Sequence, residues 1–97
     1  MNAESIATCL SLFKLDLGIT HNLRDSFFSN LIQSTISELE GMGVDLSSST
    51  VEDIQLTVDY SSWMYRKRDQ DVGLPRRLKF KINNRVIQKA GAINAEP

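Results

Sequence analysis

The stretch TVEDIQLTVDYSSWMYRK, residues 50–67, contains two sets of apolar residues at helical spacing. One set is Val51, Ile54, Val58 and Tyr65, and the other is Leu56, Tyr60, Trp63 and Met64. At about 100° per residue the two sets fall on roughly opposite sides of one helix. A helix that is apolar on two sides is either central in its domain or also contacts a neighbouring molecule. Because a chain of 97 residues has only a thin core, we favour contact with a neighbour.

Two further helices are expected before this stretch. Residues 22–41 carry a wide apolar stripe made of Leu23, Phe27, Leu31, Thr35 and Leu39, with Phe28, Ile32 and Ile36 beside it. Residues 3–15 form a shorter helix with Ile6, Leu10 and Phe13 on one side. Gly18 suits the position after this first helix.

Polar residues mark where the second and third helices begin. Thr20 or Asn22 is expected to cap the second helix. The linker DLSSST, residues 45–50, ends in hydroxyl residues, of which the last is expected to cap the third helix. Glu52 and Asp53 then lie where a helix dipole favours negative charge.

The segment after residue 75 fits two kinds of structure. RRLKFKI, residues 76–82, alternates polar and apolar residues as a strand does. Leu78, Ile82 and Val86 also lie four residues apart, and Pro75 suits the first turn of a helix. We interpret the segment as a helix and expect residues 1–4 and 91–97 to be flexible. The predicted fold is therefore all-α, a single domain over residues 1–97 built as a small bundle of three to four helices.

Composition limits the class of protein. The hydrophobic content of 41% is sufficient for a folded core, and no apolar run is long enough to span a bilayer. The N-terminal residues have no basic region and include Glu4, so a signal peptide is not expected. One cysteine cannot form an internal disulfide. These features predict a soluble protein of a reducing compartment with no membrane association.

The net charge of −1 conceals a strong asymmetry. Residues 1–60 contain two basic and nine acidic side chains, whereas residues 61–97 contain nine basic and three acidic ones. Such a division indicates a charged partner. It also allows identical copies to attract one another head to tail, which gives a ring when the rotation closes.

The residues that usually carry catalysis are sparse. The single histidine, His21, precedes a helix and has no second histidine to form a metal site with. Cys9 lies on an apolar helical face, which favours a packing role. The glycines of GMG, residues 41–43, lack the strand and lysine of a phosphate-binding loop. We expect no enzyme, no cofactor and no metal.

The segment SSWMYRKRDQDVGLPRRLKFK, residues 61–81, holds seven of the 11 basic residues. Tryptophan and tyrosine beside arginine are typical of interface hot spots, whereas the basic residues alone would suit phosphate contacts. Candidate protein-interface residues are Tyr60, Trp63, Met64, Arg66, Arg68, Pro75, Arg76 and Arg77. Candidates for proximity to DNA are Lys67, Lys79, Lys81 and Arg85. A small non-specific nucleic-acid-binding module is the alternative function.

The order of these motifs resembles the head–tail connector, or adaptor, proteins of tailed bacteriophages. The resemblance covers residues 12–85 and rests on LKLDLGIT, the apolar helix SFFSNLIQSTISELEGMGVDL, DYSSWMYRKRD and LPRRLKFKINNR. Its most specific part is the block from Tyr60 to Arg66, followed by Leu-Pro and INNR. The positions that match the family pattern are Tyr60, Trp63, Tyr65, Arg66, Arg68, Pro75 and Leu78.

The resemblance implies a small helical virion protein that forms a ring of identical subunits, commonly twelvefold. Such a ring lies beneath the portal protein, extends the DNA channel and offers a docking surface to a downstream stopper or tail-joining protein. The implied location is the head–tail junction of the virion, and the host cytoplasm during assembly. The chain ends soon after Lys89, whereas some relatives have a longer C-terminal arm that reaches the portal.

Overall fold

Four helices follow one another along the chain: α1 (Ala3–Leu17), α2 (Asp25–Gly41), α3 (Val51–Arg66) and α4 (Arg76–Asn94). The structure, a computed structural model, describes residues 1–67 and 73–94, with side chains through residue 87. No strand occurs within these two ranges. The predicted all-α bundle is confirmed, and the segment after Pro75 is a helix rather than a strand.

Local sequence signals set two of the helix ends as predicted. Gly18 follows α1 with φ of 72°, a backbone conformation that glycine adopts without the clash a Cβ would cause. Thr50 caps α3: its hydroxyl accepts a hydrogen bond from Asp53 N, and the Asp53 carboxylate accepts one from Thr50 N. This reciprocal pair satisfies two backbone N–H groups that the helix leaves unbonded.

The start of α2 differs from the prediction. The helix begins at Asp25 after Arg24, which makes no side-chain capping bond. Neither Thr20 nor Asn22 caps it, because Asn22 Oδ1 instead accepts a hydrogen bond from Lys14 Nζ at 2.8 Å. Leu23 therefore precedes the helix and is 88% exposed, so it does not extend the buried stripe as its spacing suggested.

The flexibility of residues 1–4 and 91–97 stays a prediction, and the structure gives the conformation of the described part of each end. Asn2 Oδ1 accepts a hydrogen bond from Ser5 N at 2.8 Å, and Met1 packs against the core. At the other end the backbone of α4 is helical to Asn94. Residues 95–97 lie outside the described part of the chain.

Helix α3 lies at the centre of the fold and packs against each of the other three helices. Tyr65 meets Phe13 of α1 and Phe28 of α2, with ring centroids 5.9 and 5.5 Å apart in edge-on geometry. In the second apolar set Leu56 and Tyr60 are buried, and Glu38 of α2 lies beside the Tyr60 phenol. Apart from Val51, which is 82% exposed at the start of the helix, both apolar sides of α3 are thus used inside the subunit, and the neighbour that we favoured is not needed to explain them.

Ion pairs join α4 to α3. Arg85 of α4 bonds to both Asp53 and Glu52 of α3, and Lys81 Nζ lies 2.7 Å from Asp59 Oδ2. Asp53 is completely buried, so its charge is removed from water and depends on Arg85 and on the capping bonds. Leu78 and Ile82 supply the buried apolar contacts of α4. The acidic half of the sequence therefore neutralises part of the basic half within one subunit.

We expect Asp53→Asn to lower the free energy of unfolding by about 3 kcal/mol, because it leaves the Arg85 guanidinium without its buried partner. Glu52→Gln is the matched control, since Glu52 binds the same arginine from an exposed position and should cost less than about 1 kcal/mol. Urea denaturation of both variants measures the difference. Equal decreases in the free energy of unfolding of the two variants would show that the ion pair of Asp53 with Arg85 does not hold α4 on α3.

Cys9 is a buried packing residue, as predicted, with its Sγ 3.7 Å from Met1 Sδ. Burial raises the pKa of its thiol from 9.0 to about 11. As the pH rises, the unfolded chain loses this proton before the folded protein does. The free energy of unfolding should therefore decrease between pH 9 and 11, and Cys9→Ala should remove part of the decrease. An unchanged pH profile in Cys9→Ala would contradict this.

Candidate assembly surface

A groove of about 460 Å³ runs along the C-terminal half of α3, with α1 on one side and the start of α4 on the other. Its walls contain residues from all three helices. They are Asp16, Asp59, Ser62, Trp63, Arg66, Lys67 and Arg77. We call this the α3 groove. It brings together four of the residues selected from sequence: Trp63, Arg66, Lys67 and Arg77.

Three ionised groups of the α3 groove already have partners. Arg66 Nη2 lies 3.3 Å from Asp16 Oδ2, and Asp59 pairs with Lys81. Lys67 and Arg77 are exposed and form no ion pair with any described residue. The groove therefore carries an excess of positive charge from these two side chains.

A buried hydroxyl lies at the α3 groove as well. Ser62 is 97% removed from solvent, and its Oγ has no hydrogen-bond partner among the described residues. A hydroxyl in that position usually bonds to a backbone carbonyl, to water or to a ligand. Among the described residues, the groove thus combines two cations that form no ion pair with a buried hydroxyl that has no hydrogen-bond partner.

Two of the predicted aromatic interface residues differ in their placement. Tyr60 is 4% exposed and belongs to the core, so its ring is not available to a partner and its assignment to the interface is corrected. Burial raises the pKa of the Tyr60 phenol, and the neighbouring Glu38 carboxylate raises it further. Trp63 is half-buried, packs edge-on against Tyr60 at 5.7 Å and keeps one part of its indole in the groove.

The remaining predicted interface residues are spread around the start of α4. Met64 is half-buried, with its Sδ 3.6 Å from Thr35 Oγ1, and Pro75 is half-buried. Arg76 is exposed in the first turn of α4. Arg68 lies outside the described residues.

The four residues predicted to lie near DNA differ in whether their charges are already paired within the subunit. Lys67 and Lys79 are exposed, but Lys81 and Arg85 are held in the ion pairs with α3. Cations that already neutralise carboxylates release fewer counterions on binding phosphates. The structure therefore leaves the basic segment with fewer free charges than its composition suggests.

Two groups of exposed apolar residues were not selected from the sequence, and Leu12, Met42 and Val51 are exposed as well. Phe80 and Ile87 lie two helical turns apart on the outer face of α4 and are 68% and 66% exposed. Leu15, Leu23 and Phe27 are exposed around the connection from α1 to α2, where Arg24 lies 4.4 Å over the Phe27 ring. A helical wheel of α4 places Phe80 opposite Leu78 and Ile82, so the exposure of Phe80 could have been predicted from the sequence.

The described residues contain no group of three histidine, cysteine or carboxylate side chains placed to hold a metal ion. His21 is exposed and its Nδ1 accepts a hydrogen bond from Leu23 N at 3.3 Å, as a turn residue would. In the same part of the chain, no helix is long and apolar enough to cross a bilayer.

Comparison with known proteins identifies no relative. No protein-family model matches the chain. No curated protein and no solved structure shows significant similarity to it either. The functional interpretation therefore depends on the surfaces described above and on the resemblance of the sequence motifs.

Proposed function

We propose that this protein is a structural subunit of a bacteriophage head–tail connector, which assembles with identical copies into a ring beneath the portal. The observation that carries the proposal is a closed core combined with two separate exposed apolar surfaces. One surface is Phe80 and Ile87 on α4, and the other surrounds Leu23 at the α1–α2 connection. Exposed apolar surface of this kind on a small domain is typical of protein contacts.

Two different surfaces favour a head-to-tail contact. When unlike patches of identical subunits meet, each copy keeps one patch available for the next copy. The chain grows until the rotation between neighbours closes it into a ring. A connector needs this closed form, because DNA passes through its centre.

The motif resemblance supplies the remaining parts of the proposal. The ring would bind the portal on one side and a stopper or tail-joining protein on the other, in the virion, after assembly in the host cytoplasm. Arg76 and Lys79, exposed beside Phe80, are suited to acidic protein surfaces. Non-specific contact with packaged DNA is secondary, because Lys81 and Arg85 are occupied by α3 carboxylates.

Electron microscopy of the purified protein in negative stain, with mass photometry over a concentration series, tests the proposal. We expect closed rings of one size, either alone or after addition of a purified portal protein. A single monomeric species under both conditions would contradict it. Tight binding of a duplex by that monomer, with a steep dependence on salt, would instead favour the nucleic-acid-binding alternative.

Phe80→Ser and Leu78→Ala separate assembly from folding within one helix. Phe80 is exposed, so its replacement should change the free energy of unfolding by less than about 0.5 kcal/mol while it reduces ring formation. Leu78 is fully buried, and its replacement should cost about 2–5 kcal/mol in stability. Denaturation and mass photometry are measured on both variants. A Phe80→Ser protein that assembles normally would show that the outer face of α4 is not a subunit contact.

A further inference from the structure

Charges at the ends of α2 and α4 have the sign that the helix dipole disfavours. The last turn of α2 contains Glu38 and Glu40 and no basic residue. The first turn of α4 begins with Arg76 and Arg77 and contains no acidic residue. Carboxylates are unfavourable near a helix C-terminus and cations near an N-terminus.

The other two helices show the opposite arrangement. Helix α1 has Glu4 in its first turn and Lys14 in its last, and α3 has Asp53 in its first turn and Arg66 in its last. Asp16 in the last turn of α1 is also unfavourable there, but it pairs with Arg66. Within the described residues neither the end of α2 nor the start of α4 forms an ion pair with the other or with any other group.

From these conflicts we infer that the α3 groove binds the last turn of α2 from a second copy of this chain, with the carboxylate of Glu40 between Lys67 and Arg77. This inference rests on the proposed function and adds a charged contact to the apolar one between neighbouring copies. The contact places opposite charges together and aligns the negative end of one helix with the positive end of another.

The remaining contents of the groove fit the same occupant. Met42, exposed at the end of α2, is suited to contact with the half-buried Trp63 indole, since thioethers pack favourably against aromatic rings. A volume of about 460 Å³ is within the range of pockets that enclose small groups.

Charge reversal on each side tests the contact. We expect Arg77→Glu and Glu40→Lys each to raise the concentration required for assembly by about ten-fold or more, because each places like charges together. The double variant Gln33→Glu/Ser34→Glu is the matched control: it makes the same change of two charge units at exposed positions in the middle of α2, outside the groove. Glu4→Lys is the control on the acidic side.

An equimolar mixture of Arg77→Glu and Glu40→Lys should assemble again. In the mixture, the unchanged α2 turn of the Arg77→Glu chain meets the unchanged groove of the Glu40→Lys chain. At the next contact, the charge reversed by Glu40→Lys meets the charge reversed by Arg77→Glu. Trp63 is the only tryptophan of the chain, so its emission reports occupancy of the groove during assembly. Circular dichroism confirms that each variant is folded, and Arg77→Gln replaces Arg77→Glu if that variant unfolds.

The outcomes separate this inference from the proposed function. Rings that form equally well in wild type, Arg77→Glu and Glu40→Lys would overturn the inference and leave the connector proposal intact. Equal effects of Arg77→Glu and of the Gln33→Glu/Ser34→Glu control would overturn it too, because only total charge would then matter. A change in Trp63 emission caused by duplex DNA and lost in Arg77→Glu would make the groove a phosphate site instead. Failure of wild type to associate, even with a portal, would overturn both.

Discussion

The burial of α3 on both sides is the constraint on which the rest of the structure depends. On one side Tyr65 packs against Phe13 and Phe28, which joins α3 to the α1–α2 pair. On the other side Leu56 and Tyr60 are buried, and α4 is attached through the buried Leu78 and Ile82 and through the ion pair of Arg85 with the buried Asp53. Because Asp53 also caps α3, the start of the central helix and the attachment of the last helix depend on one carboxylate.

This arrangement determines which surfaces remain for partners. Of the aromatic residues assigned to the interface, Tyr60 is buried in the core and Trp63 is half-buried. Two of the four candidate DNA contacts, Lys81 and Arg85, pair with carboxylates of α3. What remains exposed is the outer face of α4, the connection from α1 to α2, and the α3 groove between them. The subunit has a closed core, but it exposes two different apolar surfaces and carries charges at two helix ends that the helix dipole disfavours. Such a subunit is suited to assembly with copies of itself.

Features governed by neighbours in sequence were predicted better than those governed by distant residues. Gly18 and the Thr50 cap depend on a few adjacent residues, and both were correct. The predicted cap of α2 failed because Lys14, eight residues away, bonds to Asn22. The assignment of Tyr60 to the interface was wrong because its surroundings include residues distant in sequence, among them Glu38 of α2. Likewise the charge of Lys81 and Arg85 is visible in sequence, but their pairing with Asp59 and Asp53 requires the packing of α4 on α3.

Hydrogen exchange on the monomer and on the assembled ring tests most directly the claim that α3 is an internal helix and that assembly uses the surfaces around it. The account predicts that amides of residues 54–66 are strongly protected in the monomer and change little on assembly. New protection should appear at the start of α4, the end of α2 and the α1–α2 connection. New protection centred on α3, with little change at those three places, would contradict the account.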